Sequence, residues 1–482
     1  MIDVRPVVHV IGLLVLALGG TMLIPLVADL IYARDQWGTF ASSALITVVA
    51  GAVMALSTGN AITEGLTRQQ VFLLTTFVWV VLPVFGALPF VLGAPDASFT
   101  DAYFEAVSGI TTTGSTVFSG LDAMPQGTLM WRGVLQWLGG VGIIVVAIAF
   151  LPMLKVGGMQ LFQSEGFDTF GKILPRAAEI AGSISVIYLV ITLACILSYM
   201  WAGLDAFDAI VHAMTTVSTG GFSTKDASLG HFEPAAEWVA SVFMILASLP
   251  FARYVQMVAG DMGSLFRDAQ VRAYIAFLAI IAVVLGYWTL VQVGLGVHQG
   301  LRESIFNSIS IISGTGYASA DYQSWGSFSI VLFFLIGLVG GCAGSTSCSI
   351  KIFRFQILWS TLVTQVKRIH SPRGVFTPRY GDKPITEDVI NSVMAFFAMF
   401  LLTLTMLSIL LSLLGLEPIT AISGAATALA NIGPGLGPEI GPTGNFSGLS
   451  DTVKWVLSAA MITGRLELVA VYVLFTAAFW RT

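Results

Sequence analysis

The chain has 482 residues, 56% hydrophobic and only 10% charged, with a formal net charge of −5. A soluble globular domain carries about 25% charged residues, so this composition excludes one and describes a membrane protein with many spanning helices. The small negative charge is spread along the chain, and no basic tract suggests a nucleic-acid partner.

A bilayer is crossed by about 20 apolar residues, and on that rule ten spans are predicted. The first two fall at 6–31 and 39–56, joined by a turn carrying Arg34, Asp35 and Gly38. The first run is too long for a signal-peptide core, so it is read as a retained helix. From about residue 66 one unit recurs four times: a spanning helix, a short amphipathic helix, a Gly/Thr/Ser-rich loop and a second spanning helix. The paired spans are predicted at 71–92 and 129–154, 177–201 and 237–257, 273–297 and 327–362, and 389–414 and 452–479. The short helices are predicted at 99–108, 206–217, 301–312 and 419–430. The organisation expected is therefore two N-terminal helices (1–65) and four pore repeats (66–155, 156–262, 263–370 and 371–482). The fold class is an all-α polytopic membrane protein.

Each short helix is too short to span. Each opens on an acidic residue, Asp101, Asp205 with Asp208, Glu303 or Glu417, which suits the positive end of a helix dipole. They are read as re-entrant, with their partly negative C-terminal ends at mid-membrane. Lys and Arg are scarce around the loops and gather in the linkers between units: Lys155, Lys172 and Arg176; Arg253, Arg267 and Arg272; and Lys351 to Lys383. By the positive-inside rule the linkers and both termini are cytoplasmic and the loops open outward. Asp261 and Glu165 are read as solvated charges near the inner face.

The four loops carry the candidate site. They contain Thr111, Thr112, Thr113 and Gly114; Ser218, Thr219, Gly220 and Gly221; Ser313, Gly314, Thr315 and Gly316; and Ala430, Asn431, Ile432 and Gly433. None is charged. Non-helical backbone at membrane depth survives only where it is buried in protein or lines water. Such loops coordinate an ion through carbonyl and hydroxyl oxygen, and glycine allows the backbone to turn its carbonyls inward. A divalent site recruits Asp or Glu, so a monovalent cation is expected. Cys195 reads as packing. Cys342 and Cys348 have no CxxC or histidine cluster to make a metal site. Gly139, Gly140 and Gly142 read as helix-packing glycines.

These loops, with Leu135-Gln136-Trp137-Leu138-Gly139-Gly140, Gly340-Gly341-Cys342-Ala343-Gly344-Ser345-Thr346 and Gly464-Arg465-Leu466-Glu467, resemble the Trk/Ktr/HKT superfamily of potassium transporters, nearest its TrkH/TrkG branch. The resemblance covers the chain from about residue 65 to its end. It implies a K⁺ filter with one glycine per repeat (Gly114, Gly221, Gly316 and Gly433). It implies a homodimer with one pore per subunit in a bacterial inner membrane, and a cytosolic nucleotide-binding (RCK-type) regulatory partner. K⁺ is the expected cargo, and no organic cofactor is expected. A Na⁺- or H⁺-coupled symporter of the same fold is the alternative. A membrane enzyme is the reading from another class, and no nucleophile–base or phosphate-loop motif supports it.

Two features are predicted below the loops. The glycine-rich run with Gly340, Gly341, Gly344, Ser345 and Thr346 breaks an overlong helix, since each Gly disfavours helix by about 1 kcal/mol relative to Ala; the resemblance assigns it the gate. Arg465 lies midway along the last span, where an arginine costs roughly 2.5–3.5 kcal/mol. The helix is expected to continue on both sides of it. By resemblance it projects into the pore as a charge barrier. Glu467, two residues on, faces elsewhere.

Overall fold

The structure, a computed structural model, describes residues 2–61, 66–149, 158–159 and 177–481. Lys155, Glu165, Lys172 and Arg176, the end of the predicted 129–154 span and the predicted boundary between residues 155 and 156 lie outside the described residues.

The described residues are mostly helical. Among the described residues, seven helices are long and apolar enough to cross a membrane: Arg5–Ile31, Trp37–Ser57, Arg68–Leu92, Gln126–Val146, Gly182–Trp201, Ala269–Val293 and Glu387–Leu413. Their outer faces carry bare apolar side chains such as Leu56, Leu197, Val283 and Leu413, as lipid-facing positions do. The two N-terminal helices touch through small residues: a Cβ on Gly12 would come within 2.7 Å of the Ala55 nitrogen. That is the small-residue contact of membrane helix pairs.

The other three predicted spans are all broken, and each is the second helix of its unit. Pro234–Ala247 and Phe251–Val258 meet at a bend of 85°. Ser327–Gly337 and Ile352–His370 are separated by a buried loop. Asp451–Arg465 gives way to Val469–Leu474 across left-handed Glu467 (φ 58°) and Leu468 (φ 52°). Only the second break was signalled by glycines. The first rests on Leu249 and Pro250; proline has no N–H and disfavours helix at the residue before it. The third corrects the expectation that helix runs on beyond Arg465.

The four short helices are Phe99–Ile110, Ala206–Val217, Val297–Ser313 and Pro418–Ala430. Two start with side-chain caps: the Ser98 hydroxyl accepts from the Asp101 N–H, and the Asp205 carboxylate from the Asp208 N–H. The third begins a turn earlier than predicted, so Glu303 lies inside it and its first turn holds no acid. Glu417 occupies the fourth N-cap position without a side-chain cap bond.

Candidate ion pathway

The four short helices end alike. Just past each end lies a left-handed residue: Thr112 (φ 52°), Thr219 (φ 51°), Gly314 (φ 77°) and Asn431 (φ 52°). The next N–H turns back to a carbonyl five residues earlier: Thr113 to Ser108 at 2.8 Å, Gly220 to Thr215 at 2.8 Å, Thr315 to Ser310 at 2.9 Å and Ile432 to Thr427 at 3.1 Å. This is the long bond of a Schellman closure. One residue further comes a second left-handed residue, Gly114 (φ 86°), Gly221 (φ 78°), Gly316 (φ 80°) and Gly433 (φ 107°). The sign of φ therefore alternates through each loop. In a strand with constant φ sign, successive carbonyls point to opposite sides; alternation brings them to one side.

The loops close a ring in chain order. A Cβ on Gly114 would overlap the Gly220 carbonyl, one on Gly221 the Thr315 carbonyl, and one on Gly316 the Ile432 carbonyl. A Cβ on Gly433 would come within 3.0 Å of the Thr113 carbonyl, which returns the ring to its start. All four glycines line one cavity of about 70 Å³, together with Ser115, Thr116, Arg132, Ser223 and Lys225.

Buried side chains fasten the ring. Gln136 donates to the Gly220 carbonyl at 2.6 Å and accepts from the Phe222 N–H at 3.0 Å. Ser115 donates to the Gly433 carbonyl at 2.8 Å, and Asn431 donates to the Thr113 hydroxyl at 2.9 Å and the Met461 carbonyl at 2.9 Å. The hydroxyls of Thr111 and Thr113 pair at 2.7 Å, as do those of Ser313 and Thr315. Thr219 donates to the Ser218 carbonyl, and Ala430 accepts from the Ser349 N–H at 2.9 Å. Behind the ring, Arg132 and Glu105 form an ion pair at 2.8 Å in which both side chains are almost fully buried. Arg132 also donates to the Ser223 carbonyl at 2.7 Å, and Glu105 accepts from Thr116 and the Val117 N–H. Such a pair holds geometry only because its remaining polar atoms are bonded too.

Of the glycines read as packing, Gly139 sits where a Cβ would overlap the Ile110 carbonyl, and a Cβ on Gly140 would come within 2.8 Å of the Ser218 Cβ. Among the described residues nothing comes within 4 Å of a Cβ built on Gly142, so no packing contact is seen there. Gly464 meets the Leu429 carbonyl as Gly139 meets that of Ile110.

Below the ring lies the 340–347 run, wholly buried. Short strands Val339–Gly340 and Ile350–Lys351 pair in parallel at its base. Its backbone is tied to the bend of the neighbouring broken helix. Cys342 N–H donates to the Ser248 carbonyl at 3.0 Å, Thr346 hydroxyl to the Ala247 carbonyl at 3.0 Å, and Phe251 N–H to the Gly344 carbonyl at 2.9 Å. Ser345 donates to the Cys342 carbonyl at 2.7 Å, and the Gly341 N–H to the Ser347 hydroxyl at 2.8 Å. The run reaches the ring through Cys348, whose sulfur lies 3.7 Å from the Thr112 hydroxyl.

Arg465 ends its helix here and is 4% exposed. Its Nη1 donates to the Cys348 sulfur at 2.7 Å, and its guanidinium lies 6.0 Å from the Trp79 ring. It lines a second cavity with Ser345, Ser347, Lys351, Asn431 and Glu467. Glu467 lies past the end of that helix, lines the same cavity and pairs with Arg354, which lies 3.9 Å from the Phe396 ring.

Sequence reasoning missed Gln136, Glu105 and Ser115 as supports. Gln136 is, with Arg132, a polar residue inside a mostly apolar span, the one signal that marks it; Glu105 shares its short helix with Asp101 and stands out less.

The TrkH family model, a cation transport protein, matches residues 39–482. The chain is 44% identical to the Trk system potassium uptake protein TrkI of Halomonas elongata, covering 99% of this chain and 97% of that protein. It is 34% identical to the Trk system potassium uptake protein TrkH of Escherichia coli K12, over 99% of both chains. The crystal structure of the potassium transporter TrkH from Vibrio parahaemolyticus overlays on it with a TM-score of 0.92 at 32% identity, covering all of both chains. The chain belongs to the TrkH family of cation transport proteins, and is a transporter rather than an enzyme.

Proposed function

We propose that the chain takes up K⁺ across the bacterial cytoplasmic membrane through a channel-like pore whose filter is the ring of four loops. The observation that carries this reading is the fourfold recurrence of paired left-handed residues in loops that abut one another in chain order. Carbonyls replace the hydration shell of an alkali cation. Two pairs of loop hydroxyls bond one another, Thr111 with Thr113 and Ser313 with Thr315, which turns the reading toward the backbone carbonyls. The C-terminal ends of four short helices add partial negative charge there. The relatives named above as potassium uptake proteins support K⁺ as the cargo.

In this reading the four pore repeats follow two N-terminal helices, both termini are cytoplasmic, and the 340–347 run is the gate. Arg465 is a positive barrier beneath the filter. Membrane voltage supplies the drive, about 2.3 kcal/mol per charge at 100 mV. The family likeness further supports a homodimer and a cytosolic nucleotide-binding regulatory subunit. Reconstitution in liposomes tests the mode of transport. Uptake of ⁸⁶Rb⁺ should follow an imposed voltage with no Na⁺ or pH gradient. Uptake that requires either gradient would replace the channel-like reading with symport.

A further inference from the structure

The fourth loop is the least tightly enclosed member of the ring. At Gly114, Gly221 and Gly316 a built Cβ would overlap a carbonyl of the following repeat, whereas at Gly433 the Thr113 carbonyl stands 3.0 Å away. Its outgoing segment, Pro434-Gly435-Leu436-Gly437, is gripped instead by repeat three. Gln323 lies in a short 3₁₀ turn, Tyr322–Trp325. Its Oε1 accepts from the Gly437 N–H at 2.7 Å, and its Nε2 lies 3.4 Å from the Gly437 carbonyl. The same Nε2 lies 3.4 Å from Asp321 Oδ1, which also accepts from the Gln323 N–H at 3.1 Å. Asp321 thus draws the amide nitrogen to itself and leaves the oxygen, the acceptor, for Gly437. Gly441 completes the seat, since a Cβ there would overlap Nε2. The gripped turn is closed by the Gly435 N–H on the Ile440 carbonyl at 2.7 Å. Pro434 and Gly441 line the cavity that the four glycines share.

Repeat one treats the second loop in the same way. The Gln136 amide donates to the Gly220 carbonyl and accepts from the Phe222 N–H, and a Cβ on Gly220 would overlap it. The other two seams carry ion pairs, Arg302 with Glu237 at 3.2 Å and Lys454 with Asp101 at 2.6 Å. Amide and ion-pair seams therefore alternate around the ring. An ion pair tolerates a range of geometries, whereas an amide that matches donor to acceptor and acceptor to donor fixes the backbone it holds.

We infer that Gln323 is a positioning residue for cation selection: it fixes the fourth loop as Gln136 fixes the second, so the repeats work as two clamped pairs, one with two and three with four. Gln323 acts through the Gly437 peptide and not on the ion. The inference rests on the reading of the ring as the filter.

The test is the K⁺/Na⁺ permeability ratio of the reconstituted full-length protein, measured with its thermal midpoint, for Gln323→Met, Gln323→Asn and Gly316→Ser. Gln323→Met keeps the length of the side chain and leaves the Gly437 N–H without its acceptor. Its ratio should fall by about threefold, the scale of one hydrogen bond, while conduction persists. Gln323→Asn holds its amide one methylene short of Gly437 and should lose discrimination likewise; it decides the matter if Gln323→Met fails to fold. A residue that only stabilised the fold would lower the midpoint and leave the ratio unchanged. A wild-type ratio in the conducting Gln323 variants, beside a lowered ratio in Gly316→Ser, would overturn the role of Gln323 and leave the filter standing. Wild-type ratios in all three would overturn both.

Discussion

At the residue scale, the informative positions are those that break a local rule. Thr112 and Thr219 are β-branched yet left-handed, a conformation that costs roughly 1–2 kcal/mol. Such strain persists only where surrounding structure imposes it, and it gathers at functional sites. Here the Schellman closure imposes it, and the reward is a loop whose carbonyls share one side. Arg465 breaks a different rule, as a charge buried in an apolar span. In the proposed pathway a K⁺ ion passing at about 8 Å would meet roughly 2 kcal/mol of repulsion from it at an effective dielectric near 20, or more than tenfold in rate. Arg465→Ala should therefore raise ⁸⁶Rb⁺ flux by about tenfold at equal reconstituted amounts. Unchanged or lower flux from folded protein would remove Arg465 as the barrier. These two kinds of position differed in legibility. An arginine in an apolar run is visible in the sequence, whereas the handedness of Thr112 is not, because threonine carries no preference for it.

At the element scale, helix existence was readable and helix continuity was not. Hydropathy found the run from 237 to 257, but only the packing of the 340–347 loop against Ala247 and Ser248 shows what the 85° bend between its halves accommodates. The loop's peptide groups find partners at that bend, and a continuous helix would have consumed the carbonyls they use. The 340–347 run is thus a fastened turn rather than a slack tether. If it is the gate, opening must trade these bonds for others, so the closed state is the bonded one. Deleting residues 341–346 should raise single-channel open probability several-fold. An open probability equal to wild type would reduce the run to a packing kink. Glu467 was not legible: the spacing argument assumed a helix that in fact ends at Arg465, and Arg354, 113 residues distant in sequence, was found only by the fold.

At the scale of the whole molecule, composition alone established a polytopic helical membrane protein, and the recurrence of a glycine loop at intervals of about 100 residues pointed to four related units. What sequence does not contain is closure. That the Gly316 position abuts the Ile432 carbonyl, and Gly433 the Thr113 carbonyl, depends on contacts between segments hundreds of residues apart. The supports of the ring were hidden for the same reason: Gln136 reaches across to Gly220, and Ser115 to Gly433. In the proposed pathway this ring selects the cation. Its most direct test is the K⁺/Na⁺ permeability ratio of the reconstituted protein, from reversal potentials under bi-ionic conditions, compared between wild type and Gly316→Ser. A side chain at Gly316 meets both an unfavourable positive φ and the neighbouring carbonyl. The account predicts a wild type that prefers K⁺ and a variant whose ratio falls by about tenfold, a loss of roughly 1.4 kcal/mol of discrimination. A folded, conducting variant with the wild-type ratio would contradict it.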